Sequence, residues 1–183
     1  MIRRILMMAL LALLMTNVVA AEQSKPEIHM GPVIKDFGPY VNVPEDSFML
    51  NKNQRYKAFM DITDGAAEDD ALNRNFESAA RFLNMNASSG VDAANMELAL
   101  VIHGSAVKDL FTDEAYQAQF QKPNPNTGLL EALHSAGVEI YVCGQSLGFR
   151  GNTMEQLNPA VKLAISAMST SIRLQSEGFN LIP

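Results

Sequence analysis

Apolar and polar positions along the chain predict an alternation of strands and helices. Residues 97–103 and 138–143 are almost continuously apolar, without the polar alternation of a half-exposed strand. Such strands are typical of a parallel sheet that helices cover on both faces. Ahead of them, apolar side chains recur at helical spacing from Leu72 to Leu83. We predict strands at 56–63, 97–103, 138–143, 161–166 and 179–182, helices at 66–85, 112–121, 127–136 and 167–177, and a glycine-containing loop after residue 143.

This order of elements predicts an α/β fold. We expect three α/β/α layers around a mostly parallel sheet of about five strands, flavodoxin-like in general architecture. The domain spans 54–183 and follows an irregular N-terminal arm, 22–53, in which four prolines resist both helix and central strand. The arm is either a tether that packs loosely on the domain or a segment that covers a site or reaches a neighbouring subunit.

The first 21 residues predict a cleavable signal peptide. Arg3 and Arg4 precede an apolar run at 5–15, and small residues lead to the polar segment that begins at Glu22. The run is shorter than the roughly 20 residues that span a bilayer, which argues against a membrane anchor. We expect cleavage after Ala20 or Ala21, export to the periplasm or secretion, and no membrane association afterwards.

Charge and cysteine content narrow the function further. Loss of Arg3 and Arg4 leaves 12 basic residues against 20 acidic ones, so the formal charge moves from -6 to -8. An acidic chain without a basic cluster predicts no nucleic-acid partner. The single cysteine, Cys143, excludes an internal disulfide, a CxxC oxidoreductase and a thiolate zinc site. No motif predicts a cofactor, and no histidine pair has the spacing of metal ligands.

The carboxyl ends of the predicted strands are the places where chemistry is expected, because ligands bind at this edge of open parallel sheets. Cys143 ends one strand and is followed by Gly144, which lets a substrate approach the backbone. Backbone amides or a helix N-terminus could stabilise its thiolate there. The alternative is that Cys143 is a small buried apolar residue, which is common for free cysteine.

His103 ends the neighbouring predicted strand. A histidinium beside the thiol would lower the pKa of Cys143; the alternative is a histidine that bonds only to loop carbonyls. The acidic cluster from Asp61 to Asp70 allows a magnesium site, but helix capping by Asp64 explains it equally well and no late-strand lysine completes a phosphoryl pocket. Ser146 lies in a Gly-x-Ser-x-Gly segment, yet every histidine precedes it, so the chain order excludes an α/β-hydrolase.

From about residue 56 to 182 the chain resembles the DsrE/DsrF-like family of small sulfur-relay proteins. The resemblance is carried by segments 101–104, 137–147, 150–151 and 174–179. It implies a homotrimer or homohexamer, and a persulfide on the cysteine after the third strand, which is Cys143. His103, Gln145 and Arg150 would shape a pocket for a sulfur-containing or anionic ligand, with Gly104 and Gly144 beside it.

Two functions are compatible with these observations. The first is a periplasmic sulfur carrier or sulfurtransferase-like protein in which Cys143 forms the persulfide and His103 assists it. The second is a non-catalytic oligomeric binding protein in which Cys143 is structural. Export and the lack of a second cysteine distinguish this chain from the relay members of the family.

Overall fold

The computed structural model describes residues 25–183. The predicted signal peptide, 1–21, and the first residues of the arm lie outside this range. The strands are β1 (Ile28–His29), β2 (Tyr40–Val41), β3 (Tyr56–Ile62), β4 (Met96–Ile102), β5 (Glu139–Cys143), β6 (Val161–Ala164) and β7 (Asn180–Ile182). The α-helices are α1 (Arg74–Ser88), α2 (Asp113–Phe120), α3 (Thr127–Ser135), α4 (Gly144–Phe149) and α5 (Ala167–Ser176), with 3-10 helices at Ala93–Asn95, Gly104–Leu110 and Met154–Gln156.

A five-stranded parallel sheet forms the centre of the domain, in the order β6-β5-β4-β3-β7. This confirms the predicted α/β class and the parallel sheet. The chain runs from β3 outward to β6, and α5 then crosses back so that β7 pairs with the other side of β3. The carboxyl ends of all five strands therefore lie at the same edge of the sheet, where the sequence predicts the candidate site residues.

The two faces of the sheet have separate apolar cores. The larger one includes Phe76, Leu100 and Leu130 and lies under α1 and α3. The smaller one is covered by α5 and includes Val101, Cys143 and Ala167. Since side chains alternate along a strand, Cys143 points to the α5 face and Val142 to the opposite core. Cys143 therefore belongs to the smaller core.

The first domain helix begins later than predicted. Residues 66–73 are not helical, and the N-cap is Asn73, whose side chain accepts from the Asn75 amide at 2.9 Å. The prediction that Asp64 caps this helix is therefore wrong. A buried polar network holds Asn73 instead, because its amide nitrogen donates to Asn126 and its side chain donates to Asp109, both at 2.7 Å. These contacts lie 36 or more positions apart in sequence, where no local pattern reveals them.

Asp109 fastens the loop after β3 onto the Gly104–Leu110 helix. It is fully buried, and its Oδ2 accepts from the Ala66 amide and from Asn73. Its Oδ1 has no partner within residues 25–183. Burial raises the pKa of Asp109, against the lowering effect of the hydrogen bonds from Asn73 and Ala66. This carboxyl group is therefore a buried structural contact and is not exposed at the sheet edge.

Two side chains of α1 bond to the arm: Arg81 donates to the Pro39 carbonyl at 2.6 Å, and Asn84 makes the remaining bonds. Asn84 is fully buried; its Oδ1 accepts from the amides of Val33 and Ile34, and its Nδ2 donates to the carbonyls of Ile34, Phe37 and Gly38. The arm also contains the short antiparallel pair β1 and β2. Segment 33–38 is thus anchored by specific hydrogen bonds rather than by loose packing. In the described range, no helix has the length and apolar character required to cross a membrane.

Candidate functional site

Cys143 occupies the junction of β5 and α4. It is the last residue of the strand and the N-cap of the helix, and it is only 5% exposed. The segment after it is a short helix, so the predicted loop is wrong at this point. The Cys143 sulfur consequently lies where the end of β5, the start of α4 and the first turn of α5 meet.

The thiol of Cys143 is surrounded by hydrogen-bond donors. The Ser146 amide donates to its Sγ at 3.5 Å. Burial raises the pKa of Cys143, but hydrogen bonds from the amide and hydroxyl of Ser146 and from the amides of Ala167 and Gln145 lower it by more. The pKa of Cys143 therefore lies below its ordinary value. Donors to a thiolate stabilise the charged form, which is the form that acts as a nucleophile.

Ser146 connects the cysteine to the neighbouring strand end. Its hydroxyl oxygen accepts from the Gly104 amide at 3.3 Å. Gly104 has a φ of 57°, and a Cβ there would lie 2.7 Å from the Thr63 carbonyl oxygen, so only glycine fits this turn. The Ser146 hydroxyl is thus occupied in supporting Cys143 and the turn after β4.

His103 and Cys143 lie at the ends of neighbouring strands, but the hydrogen bonds of His103 are made to residues at the end of β3. Ile102 pairs with Val142, which places residues 103 and 143 at neighbouring strand ends. The His103 Nε2 is 2.8 Å from Asp61 Oδ1 and 3.2 Å from Thr63 Oγ1. Within residues 25–183 no hydrogen bond joins His103 to Cys143. The structure therefore brings the two residues to one edge of the sheet. The contacts with Asp61 and Thr63, at the end of β3, orient the imidazole ring.

Gly144 and Gln145 join α4 to the end of β6. A Cβ at Gly144 would lie 2.8 Å from the carbonyl oxygen of Ala164, closer than real Cβ contacts allow. The Gln145 side chain donates to the Ile165 carbonyl at 3.2 Å. The contacts of both residues hold the start of α4 against the edge strand β6.

Arg150 lies at the other end of α4. It caps the helix C-terminus and lines a cavity of about 450 Å³ with Lys108 and Phe120. At 1.5 Å per helical residue, its backbone is about 10 Å from that of Cys143. Of the predicted pocket residues, Gly144 and Gln145 adjoin the cysteine, Gly104 is connected to it through Ser146, and Arg150 lies at the far end of α4.

The acidic cluster does not converge on one point. Asp61 pairs with His103, Asp69 with Lys108 at 2.8 Å, and Asp70 with Lys122 at 3.0 Å. In the part of the chain that the structure describes, no group of three histidine, cysteine, aspartate or glutamate side chains could hold a metal ion. Each of these three carboxylates is paired with a different histidine or lysine side chain near the sheet edge.

Three contributors to the site were missed as such in the sequence. Ser146 donates to the thiol, the Ala167 amide lowers the pKa of Cys143, and Asp61 orients His103. Ser146 could have been found, since it is the third residue after an N-cap and its amide points back to the cap. Asp61 required the register of β3 against β4, and Ala167 required the return of α5 across the sheet.

The sequence of this domain also matches a known family. A family model described as the DsrE/DsrF-like family matches residues 57–183. This range begins one residue after β3 starts and includes every residue placed in the site above. The chain belongs to the DsrE/DsrF-like family. DsrE-like proteins are in general related to sulfur relay.

Comparison with solved structures found similar chains, among them the following two. One is MTH1491, a protein of unknown function from Methanobacterium thermoautotrophicum, with a TM-score of 0.52 and 20% sequence identity. The match covers 69% of this chain and 97% of the MTH1491 chain. The ychN protein of E. coli gives a TM-score of 0.46 at 18% identity, covering 69% of this chain and 99% of its own. No curated protein matches the sequence. The first likeness supports the α/β fold alone.

Proposed function

We propose that the protein is a sulfur carrier or sulfurtransferase-like protein in which Cys143 forms a persulfide. One observation carries the proposal: Cys143 is the N-cap of α4, and the Ser146 amide donates to its Sγ at 3.5 Å. Together with the nearby Ala167 and Gln145 amides, this lowers the pKa of a thiol that burial alone would raise. A purely structural cysteine needs no such donors. Membership of a family related to sulfur relay supports the same chemistry.

The proposed reaction is thiol exchange at a sulfane sulfur. The Cys143 thiolate attacks the outer sulfur of a donor R–S–SH, the donor S–S bond breaks, and the thiolate R–S⁻ leaves with the electron pair. With thiosulfate, the thiolate attacks the outer sulfur and sulfite leaves. In both cases sulfur is transferred without an external oxidant or reductant. The proton of the thiol passes to solvent, since within residues 25–183 no hydrogen bond joins Cys143 to His103, which Asp61 holds at the adjacent strand end.

A second candidate function rests on the burial of the same residue. Cys143 is 5% exposed and packs with Val101 and Ala167 in the smaller core. A non-catalytic oligomeric binding protein would keep Cys143 for this packing alone. The two candidates differ in whether the native thiol reacts.

Alkylation of the native protein with iodoacetamide across pH separates them. Because the folded-state pKa of Cys143 is lowered, the thiolate persists as the pH falls, and we expect the rate midpoint below the value of about 8.5 for free cysteine. Ser146→Ala is expected to shift the midpoint upward, since one donor is lost. A thiol that reacts only after unfolding would support the binding protein instead.

We also propose that the protein is a homo-oligomer, as the family resemblance implies. Five apolar side chains near the edge strand β6 are 56–90% exposed: Phe149, Leu163, Ile165, Met168 and Ile172. The Gln145 bond to Ile165 makes the α4 and β6 parts of this surface continuous. Exposed apolar patches of this kind mark interaction surfaces. A native mass of one protomer in light scattering would contradict the proposal.

Export remains our proposal for localisation, on the strength of segment 1–21. The basic start, apolar run and small residues before Glu22 are the pattern of a cleaved signal. Mass spectrometry of the N-terminus of the protein recovered from expressing cells tests it. A chain that retains Met1 through Ala20 would argue against cleavage.

A further inference from the structure

Four polar side chains are buried together beneath the loop that joins β3 to α1, residues 63–73. They belong to Asn73, Asp109, Asn124 and Asn126, and each of these residues is at most 4% exposed. Asn73 bonds to Asn126 and to Asp109, and the Asn124 side chain donates to the Asp109 carbonyl at 3.0 Å. The cluster thereby ties loop 63–73 to the Gly104–Leu110 helix and to the start of α3.

Asp109 is the one ionisable side chain of this cluster, and no cation bonds to it within residues 25–183. Both donors to its Oδ2, the Ala66 amide and the Asn73 side chain, are neutral. The Lys108 ammonium bonds to Asp69 instead, at 2.8 Å. The Asp109 Oδ1 has no hydrogen-bond partner in the described range. An ionised Asp109 would therefore be a buried charge with donors on only one of its two oxygens.

The charged and titratable groups around Asp109 do not supply the missing stabilisation. Lys108 favours the ionised form of Asp109, but Asp69 opposes it, and these two side chains form an ion pair with each other. The Tyr116 phenol on α2 also interacts with Asp109, and burial together with the nearby carboxyl groups raises the pKa of Tyr116 to about 12, so this phenol stays neutral. Burying a neutral carboxylic acid costs far less than burying a carboxylate that has no cation.

The buried part of loop 63–73 converges on this one carboxyl group. Ala66 and Asn73 are the buried residues of the loop, and both donate to the Asp109 Oδ2 at 2.7 Å. The ion pairs of the loop, Asp69 with Lys108 and Asp70 with Lys122, are at least partly exposed to solvent. The protonation state of Asp109 therefore acts on the contacts that hold the loop down.

The loop lies beside the candidate site. The Ser105 hydroxyl accepts from the Gly65 amide at 2.9 Å and donates to the Thr63 carbonyl at 3.2 Å. The residue before it, Gly104, donates to the Ser146 hydroxyl. A change in the closure of loop 63–73 would thus occur next to the turn that supports Cys143.

We propose that closure of loop 63–73 is linked to a proton on Asp109. The loop is closed while Asp109 is neutral, with the proton on Oδ1, because Oδ2 already accepts two hydrogen bonds. When Asp109 loses this proton to solvent, opening of the loop admits water to the carboxylate. The loop therefore opens as the pH rises. This inference does not depend on persulfide formation at Cys143.

The pH dependence of opening has a definite sign. In the open loop Asp109 is solvated and has the pKa of about 3.9 of an ordinary aspartate, whereas burial in the closed loop raises its pKa. Between these two values the closed loop holds a proton that the open loop has lost. The equilibrium therefore shifts toward the open loop by about tenfold for each pH unit in this window, and the shift ends above the raised pKa.

Amide hydrogen exchange followed by NMR measures the opening, because the Ala66 N–H bonds directly to Asp109. As the pH rises from about 4, we expect the protection factor of this amide to fall by about tenfold per pH unit until Asp109 is ionised. The amide of Leu100, in the middle of β4, should not follow this fall. In protein with carbon-13 in its aspartate carboxyl groups, the Asp109 signal should titrate above the usual range, with its midpoint where the fall in protection ends.

Two variants complete the test. Asp109→Asn cannot ionise, so the protection of Ala66 should no longer depend on pH. Glu131→Gln makes the same change from carboxyl to amide at an exposed position of α3 and should retain the fall seen in the wild type.

Three results would overturn the proposal. An Asp109 titration at or below about pH 3.9 would show that the buried group is ionised. A raised titration without a change in Ala66 protection would show that the proton does not control the loop. An equal fall at Leu100 would show global unfolding instead of loop opening. If Asp109→Asn does not fold, the titration and the exchange of the wild type decide the question.

Discussion

Replacing Asn84 with alanine is expected to lower the free energy of unfolding by about 2–4 kcal/mol. The side chain is fully buried and bonds to backbone groups of four arm residues. Its removal leaves the Val33 and Ile34 amides and the Ile34 carbonyl without their partner, and an unpaired buried polar group is costly. Urea unfolding of the wild type and the variant measures the difference.

Asn86→Ala is the matched control on the same helix. The Asn86 side chain makes one hydrogen bond, to the Phe82 carbonyl one turn earlier, and it is only partly buried. We expect its loss to cost at most about 1 kcal/mol. Similar destabilisation by the two substitutions would show that Asn84 does not anchor the arm.

Replacing Gly144 with alanine is expected to displace the start of α4 and thereby disturb the site. The added Cβ would lie 2.8 Å from the Ala164 carbonyl oxygen, which is backbone and cannot rotate away. The start of α4 must therefore move from β6, at a cost of about 1–3 kcal/mol. Because the Ser146 and Gln145 amides move with α4, the pKa of Cys143 should rise and its alkylation near neutral pH should slow.

Gly148→Ala, one turn further along α4, makes the same chemical change in open space. Nothing lies within 4 Å of a Cβ at this position. Alanine there should stabilise the helix by about 0.5–1 kcal/mol and leave the thiol unchanged. Urea unfolding and iodoacetamide alkylation of both variants provide the comparison. Equal effects would contradict the close-packing role of Gly144.

The sheet could be predicted because its evidence is local. The apolar run that contains Val101 and the one that ends at Cys143 are both buried strands, and the predicted strand ends all meet at one edge. The last helix likewise ends beside Gly178, whose φ of 89° matches its predicted role as a stop. Local periodicity and helix-stop chemistry are sufficient for such elements.

The errors arose where distant groups decide the local structure. The first helix starts at Arg74 because Asn126 and Asp109 hold Asn73, and neither partner is near it in sequence. Helix α4 was missed because Gly144 and Gly148 have low helix propensity, whereas contact with β6 stabilises its start. Arg150 was expected near the cysteine from its position in the segment that resembles the family; because this segment is helical, Arg150 lies at the other end of α4 from the thiol.

The transfer of one sulfur atom to Cys143 is the central claim, and intact mass spectrometry measures it directly. The purified protein is incubated with thiosulfate or polysulfide, and Cys143→Ser is treated in parallel. We predict that the wild type gains the mass of one sulfur atom, that a reducing agent removes it, and that Cys143→Ser gains nothing. No gain on the wild type, or an equal gain on Cys143→Ser, would contradict the persulfide.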